Sequence, residues 1–281
     1  MSYKVRVTHG VEEVGQSEWD SLGGAQPFAS YRWYRYCEVV FAGDLPIYVT
    51  LYRAGEPLAR ATFWLKSRES LPIRSRTARF IVDGVLRYRP LLACRSPISG
   101  TSGLILPAPP HRDPALNMIL LTAQELARKH RTSFLLFDYL DPVQMSWSGW
   151  PDDYVRMADT SPGTRLTISW TDFECYLAHL GKKRRYNVRR NYRLVAEDGI
   201  RIVQHPAVMD LDRAMELHRN VNRRYQVPTA LSMRPTMANA EMVDAVWLAA
   251  EKDGKLVGCE LMLGDRGTWL VTGLGLDHSV S

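Results

Sequence analysis

Seven of the twelve residues from Lys182 to Arg193 are lysine or arginine. Wound as a helix, Lys182, Arg185, Arg189 and Arg193 fall at spacings of three and four and share one face. Such a row suits phosphates, because guanidinium groups make bidentate contacts with phosphate oxygens. Tyr186 and Tyr192 lie between the cations, placed either to stack on bases or to pack inward. The plainer reading is the solvated basic face of an amphipathic helix.

A second set of residues bears on acyl transfer. Attack of an amine on an ester or thioester requires a neutral amine and donors for the tetrahedral oxyanion, and a general base helps. Asp277 and His278, just past the last strand, are candidates, with Glu38 and Asp83 elsewhere; each also reads as an ordinary surface or capping residue. Tyr31, Trp33, Tyr34 and Tyr36, with Arg32 and Arg35 interleaved, line either a cleft or a core, and the helical register of Phe28, Tyr31 and Tyr34 favours core.

Rival chemistries fit poorly. The segment Ser99-Gly100-Thr101-Ser102-Gly103 lacks the Gly-x-Ser-x-Gly of a nucleophile elbow. Gly273 and Gly275 sit on a predicted strand with no helix after them, which does not support a dinucleotide fingerprint. The seven histidines form no HExxH arrangement, and Cys37, Cys94, Cys175 and Cys259 form no CxxC pair; neither a metal site nor a disulfide framework is expected.

These residues need elements to carry them. Tyr3–Thr8 alternates as a strand, Pro27–Val40 reads as a helix, and Pro46–Tyr52 and Pro57–Lys66 read as strands joined by the turn Arg53-Ala54-Gly55-Glu56. Leu86–Ala93 is a further strand candidate, Ser96–Gly103 a loop, and a helix from Asp113 or Pro114 to His130 precedes the strand Phe134–Phe137. Asp159–Gly163 reads as a linker, after which Leu166–Trp170 restarts as a strand. Thr171 with Glu174 suggests a capping box opening one long helix that Gly199 ends. Ile200–His205 is a strand, Asp210–Tyr225 a helix, and Val246–Glu251, Leu256–Leu263 and Thr268–Leu276 a meander turning at Asp253-Gly254 and Asp265-Arg266-Gly267. The fold class is therefore α/β, in two domains, 1–160 and 164–281.

A chain of 281 residues, 46% of them hydrophobic, is long and apolar enough for two cores. It has no apolar run of membrane-spanning length and no signal-peptide core, so a cytoplasmic location without a membrane span is expected. The net charge of +6 hints at a polyanionic partner.

Three blocks resemble the FemAB-like branch of the GNAT N-acyltransferase superfamily. The first comprises Trp19-Asp20-Ser21-Leu22, Pro27-Phe28-Ala29-Ser30, Glu38, the strand ending Phe63-Trp64-Leu65-Lys66, and Leu86-Arg87-Tyr88-Arg89-Pro90 through Pro97, Gly100 and Gly103. The second runs from Phe173 through Lys182–Arg190 to Gly199-Ile200, and the third from Val257-Gly258 to Trp269 and Gly273–Asp277. The resemblance implies two GNAT-like mixed-sheet halves joined by a long basic helix. It also implies transfer of an acyl or aminoacyl group to an amine, with aminoacyl-tRNA slightly favoured as donor.

On that reading the donor phosphate or tRNA backbone meets Lys182, Lys183, Arg184, Arg185, Asn187, Arg189 and Arg193, among which Lys183, Arg184, Asn187 and Arg189 match motif positions. The substrate cleft draws on Phe28, Tyr31, Lys66, Tyr88 and Trp269, the catalytic candidates are Asp277, His278 and Glu38, and backbone amides of Thr268–Leu276 face the oxyanion. No cofactor is held tightly, since aminoacyl-tRNA or acyl-CoA serves as co-substrate. A small amine or a cell-wall precursor is the acceptor, and tRNA is a partner. A GNAT sheet continues beyond its fourth strand, so the second domain is expected to lack its C-terminal part. The edge left at Leu276 is expected to pair with that part or with a second copy in a homodimer. The alternatives are an acetyl-CoA-dependent GNAT N-acetyltransferase and a non-catalytic RNA- or partner-binding module of the same fold.

Overall fold

The computed structural model describes residues 3–69, 76–157 and 163–280. The chain forms two compact units. One comprises Met1–Arg156, Ala230–Asp244 and Leu263–Leu270; the other comprises Met157–Thr229, Ala245–Met262 and Val271–Ser281.

The first unit is built on a mixed sheet. Strands β1 (Tyr3–Thr8), β2 (Leu45–Arg53) and β3 (Glu56–Lys66) pair antiparallel. The β2–β3 turn places Ala54 and Gly55 at φ 52° and 89°, the left-handed pair that a tight hairpin requires. β4 (Leu91–Cys94) continues antiparallel to β3, the short β5 (Leu104–Ile105) also pairs β3, and β6 (Phe134–Phe137) lies parallel to β4 at the end of the order.

Helix α5 (Arg112–Lys129) covers one face, burying Leu116, Ile119, Leu120, Ala123 and Leu126 against Ile47, Val49, Leu51, Phe63 and Leu92. The short helices α1 (Val11–Val14) and α2 (Gln16–Ser21) and helix α3 (Tyr31–Val40) carry an aromatic block. Trp19, Tyr34 and Tyr48 meet with ring centroids 4.9–5.8 Å apart. Arg60 of β3 is buried over the Trp19 ring, 3.7 Å from its centroid, and donates to the carbonyls of Trp19 and Ala29. Burial lowers its pKa to about 10.

Helix α4 (Arg76–Tyr88) corrects one reading: Leu86–Tyr88, expected as the start of a strand, ends a helix, and the strand begins at Leu91. A single apolar Leu86 fits either period, and here it is a buried helical residue clustered with Leu91 and Ala93, against which Val82 and Leu136 pack. α6 (Pro142–Met145), capped by Asp141 and Gln144, completes the N-terminal part.

The other unit opens with two helices where one was expected. α7 (Phe173–His179) ends at Leu180, in extended backbone, and α8 (Lys182–Glu197) restarts from Gly181. Asp172, not Thr171, caps α7 by accepting from the Cys175 amide at 2.8 Å. Gly199 does close α8: at φ 69° it permits the amides of Gly199 and Ile200 to reach the carbonyls of Ala196 and Val195, a Schellman motif. Residues 166–170 form no strand, and of the expected linker, residues 159–162 lie outside the described residues.

β7 (Arg201–His205) then leads to α9 (Leu211–Tyr225), capped by Asp210. α10 (Met233–Ala238) belongs to the first unit, where Tyr36 Oη donates to the Thr236 carbonyl at 2.9 Å. β8 (Asp244–Lys252), β9 (Lys255–Asp265) and β10 (Thr268–Leu276) follow as expected, making the sheet order β10-β9-β8-β7. Their turns place Asp253-Gly254 and Arg266-Gly267 at positive φ.

Candidate functional site

The basic helix α8 sorts its cations by what already holds them. Arg185 turns back onto α7, its Nη2 donating to the carbonyls of Ala178 and Leu180 at 3.1 and 3.0 Å. These are carbonyls that a helix end leaves without internal partners, and a cation there also suits the helix dipole. Arg189 pairs with Glu174 Oε2 at 2.7 Å and Arg193 with Glu197 at 3.5 Å. Tyr192 packs on Phe173, and Phe173 on Tyr176. The face expected to greet phosphate therefore holds the two helices together at two of its four positions, Arg185 and Arg189, while Arg193 is paired within α8 itself.

Lys182, Lys183, Arg184, Asn187 and Arg190 are exposed. Among the described residues no hydrogen bond or ion pair engages these side chains. Lys183, Asn187 and Arg190 recur at spacings of four and three, and the first turn of α8, started by Gly181, has no side-chain cap. Uncapped amides and three successive cations give that turn a positive field.

The end of β10 is the second feature. Gly273 has φ 65°, a left-handed backbone position inside the strand that glycine takes without strain. β10 is the terminal strand of the described order, which leaves one edge of its backbone without a strand partner among the described residues. Its other contacts are close. A Cβ at Gly275 would lie 2.7 Å from Cys259 Sγ, 2.8 Å from Leu217 Cβ and 3.0 Å from the His218 amide nitrogen. His218 Nδ1 lies 2.9 Å from the Leu274 carbonyl, and burial pushes the Cys259 thiol up to about 12.

Just beyond the strand, Asp277 accepts from Ser279 Oγ at 2.6 Å and from its amide at 3.0 Å, and pairs with Arg213 at 2.6 Å. The Ser279 hydroxyl and amide and the Arg213 guanidinium hold its carboxyl down at about 2. A carboxylate so committed accepts a proton poorly; its geometry is that of an anchor for the end of β10. Arg213, Lys252, Lys255 and Asp277 line a cleft of about 450 Å³. His278 is exposed with Nδ1 3.0 Å from Arg224.

Glu38, in the first unit, accepts from the Val11 amide and Tyr48 Oη, both at 2.7 Å, which ties α1 to β2; burial raises its pKa. The expected cleft residues have separate places. Phe28 is buried against Trp33, Lys66 is paired with Asp44 at 3.0 Å, and Tyr31 donates its amide to Asp20. Trp269 covers Gly264, and Tyr88 stands exposed at the end of α4. No hydrogen bond or ring contact joins any two of these five among the described residues.

Two polar groupings escaped the sequence reading. Arg95 bridges Glu69 and Asp138, and Glu69 also meets Lys66. Asp265 accepts from the Ala29 amide and Ser30 Oγ, holding the start of α3. Nothing in the sequence links residues more than two hundred positions apart, so no local signal could have found the second.

The family model described as FemAB-like, peptidoglycan biosynthesis/recognition, matches residues 10–270. A search of curated proteins finds no match. Among solved structures, the crystal structure of FemX aligns at 12% identity and TM-score 0.46, covering 87% of this chain and 57% of that one. A tandem GNAT protein from the clavulanic acid biosynthesis pathway aligns at 12% identity and TM-score 0.45, covering 99% of this chain and 80% of that one. The chain thus spans little more than half the length of the FemX chain it matches. Among the described residues no helix is long and apolar enough to cross a membrane, and no group of three metal-ligating side chains assembles.

Proposed function

Because the chain belongs to the FemAB-like family, we propose that it is an N-acyltransferase acting on a cell-wall precursor, moving an acyl or aminoacyl group from an activated donor to an acceptor amine. The amine attacks the donor carbonyl, the carbonyl oxygen becomes an oxyanion, and the oxygen or sulfur of the donor leaves as the tetrahedral intermediate collapses. Backbone amides on the edge of β10, around the positive-φ position Gly273, supply donors for the oxyanion. Of the three candidate bases, Asp277 and Glu38 are carboxylates tied into the fold, and His278 takes the role of receiving the amine's proton at Nδ1 once that nitrogen is released from Arg224.

The donor we favour is aminoacyl-tRNA. The observation that carries this reading is the exposed set Lys182, Lys183, Arg184, Asn187 and Arg190, whose side chains no other described residue engages. Such a set addresses a phosphate backbone and positions it without reading base sequence. The cleft of Arg213, Lys252 and Lys255 supports a second reading, in which a diphosphate-bearing acyl-CoA is the donor.

The test is binding of deacylated tRNA and of CoA across a salt series, with a Lys183→Ala, Arg184→Ala double variant and a Lys252→Ala, Lys255→Ala double variant. Arg185 is unsuitable because its loss would disturb α7. Binding of tRNA that weakens steeply with salt and is lost in the first variant supports the tRNA reading. CoA binding lost only in the second variant replaces it with the CoA reading, and binding of neither ligand refutes both.

A further inference from the structure

Helix α4 carries more apolar surface than the body of the protein covers. Among its described side chains only Leu86 is fully buried, in a cluster with Leu91 and Ala93 against which Val82 and Leu136 also pack. At 100° per residue, Phe80, Ile81, Gly84, Val85 and Tyr88 fall on a broad separate arc. Phe80 is 81% exposed and Tyr88 88%. Eight residues apart, they stand about 12 Å apart along the axis.

The apolar surface does not stop at the helix. The Ser133 amide donates to the Pro90 carbonyl and Ser133 Oγ to the Arg89 carbonyl, bringing the start of β6 beside the end of α4. Phe134, paired with Leu91, lies on the same side of the sheet and is exposed. The rim is cationic. From Arg76 to Arg89 the sequence contains four arginines and one acid, Asp83. Arg87, Arg89 and Arg131 are exposed, and among the described residues neither Arg87 nor Arg89 is paired with a carboxylate.

We propose that α4 is a docking surface for an anionic lipid bilayer. The helix lies in the headgroup region, its Phe80–Tyr88 arc sunk at shallow depth and Arg87, Arg89 and Arg131 at the level of the lipid phosphates. An apolar arc beside an arginine flank, on a helix lying flat against its own protein, is the arrangement that binds such an interface. A few arginines near an anionic surface add a salt-dependent attraction. This attachment is separate from the acyl-transfer chemistry.

The experiment is co-sedimentation of the full chain with vesicles of phosphatidylcholine alone or mixed with phosphatidylglycerol, at low and high salt. The expected result is partition onto the mixed vesicles at least tenfold stronger than onto phosphatidylcholine, weakened by salt. It should be reduced at least tenfold by Phe80→Ser with Tyr88→Ser, and it should lose its salt dependence with Arg87→Gln and Arg89→Gln. Both serine positions are exposed, so far-UV circular dichroism and the thermal midpoint should stay at the wild-type values. A Phe80→Trp variant should show blue-shifted emission, quenched by brominated lipid. The proposal is overturned by no partition onto the mixed vesicles, by partition indifferent to Phe80→Ser with Tyr88→Ser, or by light scattering that shows a concentration-dependent dimer lost in that variant. The dimer would assign the face to a second copy of the chain.

Discussion

Replacing Gly275 by alanine puts a methyl group where β10 already touches α9. The three nearest atoms would be Cys259 Sγ at 2.7 Å, Leu217 Cβ at 2.8 Å and the His218 amide nitrogen at 3.0 Å. Ordinary contacts lie at about 3.5–4.0 Å, so α9 must retreat by roughly 1 Å. Overpacking of a core costs about 1–3 kcal/mol, and the upper part of that range applies because two of the three atoms are main chain or Cβ. Gly275 does not have positive φ, so alanine would otherwise gain about 0.4–1 kcal/mol by restricting the unfolded chain. The net expectation is a loss of about 1.5–2 kcal/mol.

Urea unfolding of the full chain, followed by circular dichroism and tryptophan fluorescence, should register that loss as a lower midpoint, by about 1 M for a slope near 2 kcal/mol/M. Adding Cys259→Ala should recover part of it, since the thiol is one of three contacts, while Leu217 and His218 remain. Gly84→Ala is the counter-case: it meets nothing within 4 Å in a helix interior and should gain about 0.5–1 kcal/mol. A Gly275→Ala protein that unfolds at or above the wild-type midpoint would refute the close seating of α9 on β10.

Asp265→Ala removes the acceptor for the Ala29 amide and Ser30 Oγ at the start of α3, and should cost about 2–4 kcal/mol in the same titration; Asp265→Asn, which keeps one oxygen, should cost less. Asp277 has a folded pKa of about 2 against an ordinary 3.8. Its contribution is therefore present above 3.8 and lost as the pH falls through about 2. Between pH 4 and 2 the stability gap between wild type and Asp277→Asn should close, and at neutral pH the variant should be weaker by about 1 kcal/mol; a gap constant across that window would contradict the assignment.

The legible parts of the fold were those with local grammar. Thr268–Leu276 follows the turn Asp265-Arg266-Gly267 and emerges as a strand with those bounds, and Gly199 stops α8 where its freedom at positive φ is needed. Leu86 was illegible because one buried leucine fits either period, and only its packing on Leu91 and Leu136 makes it helical. The break at Leu180-Gly181 was hidden for a different reason. Glycine is tolerated inside a helix, and the interruption is supported by Arg185, which satisfies the carbonyls at the end of α7. Phe28 and Lys66 were expected in the cleft on the strength of the family resemblance, but an aromatic pair with Trp33 and an ion pair with Asp44 occupy them.

Occupancy is also what separates a charge that builds the protein from one that meets a ligand. The sequence groups seven cations on one helix, and residue type cannot rank them. The structure assigns Arg185 to a helix end, Arg189 to Glu174 and Arg193 to Glu197. An arginine with its donors already directed at protein oxygens must give up those bonds before it can bind phosphate, so its net gain from a ligand is small. Lys182, Lys183, Arg184 and Arg190 surrender nothing. The same argument demotes Asp277, whose carboxylate is saturated by Arg213 and Ser279, and promotes Arg87 and Arg89, whose guanidinium groups face solvent beside exposed apolar rings. The groups left over after the protein's own requirements are met are therefore cationic in both places, and that shared charge is what the two proposals rest on.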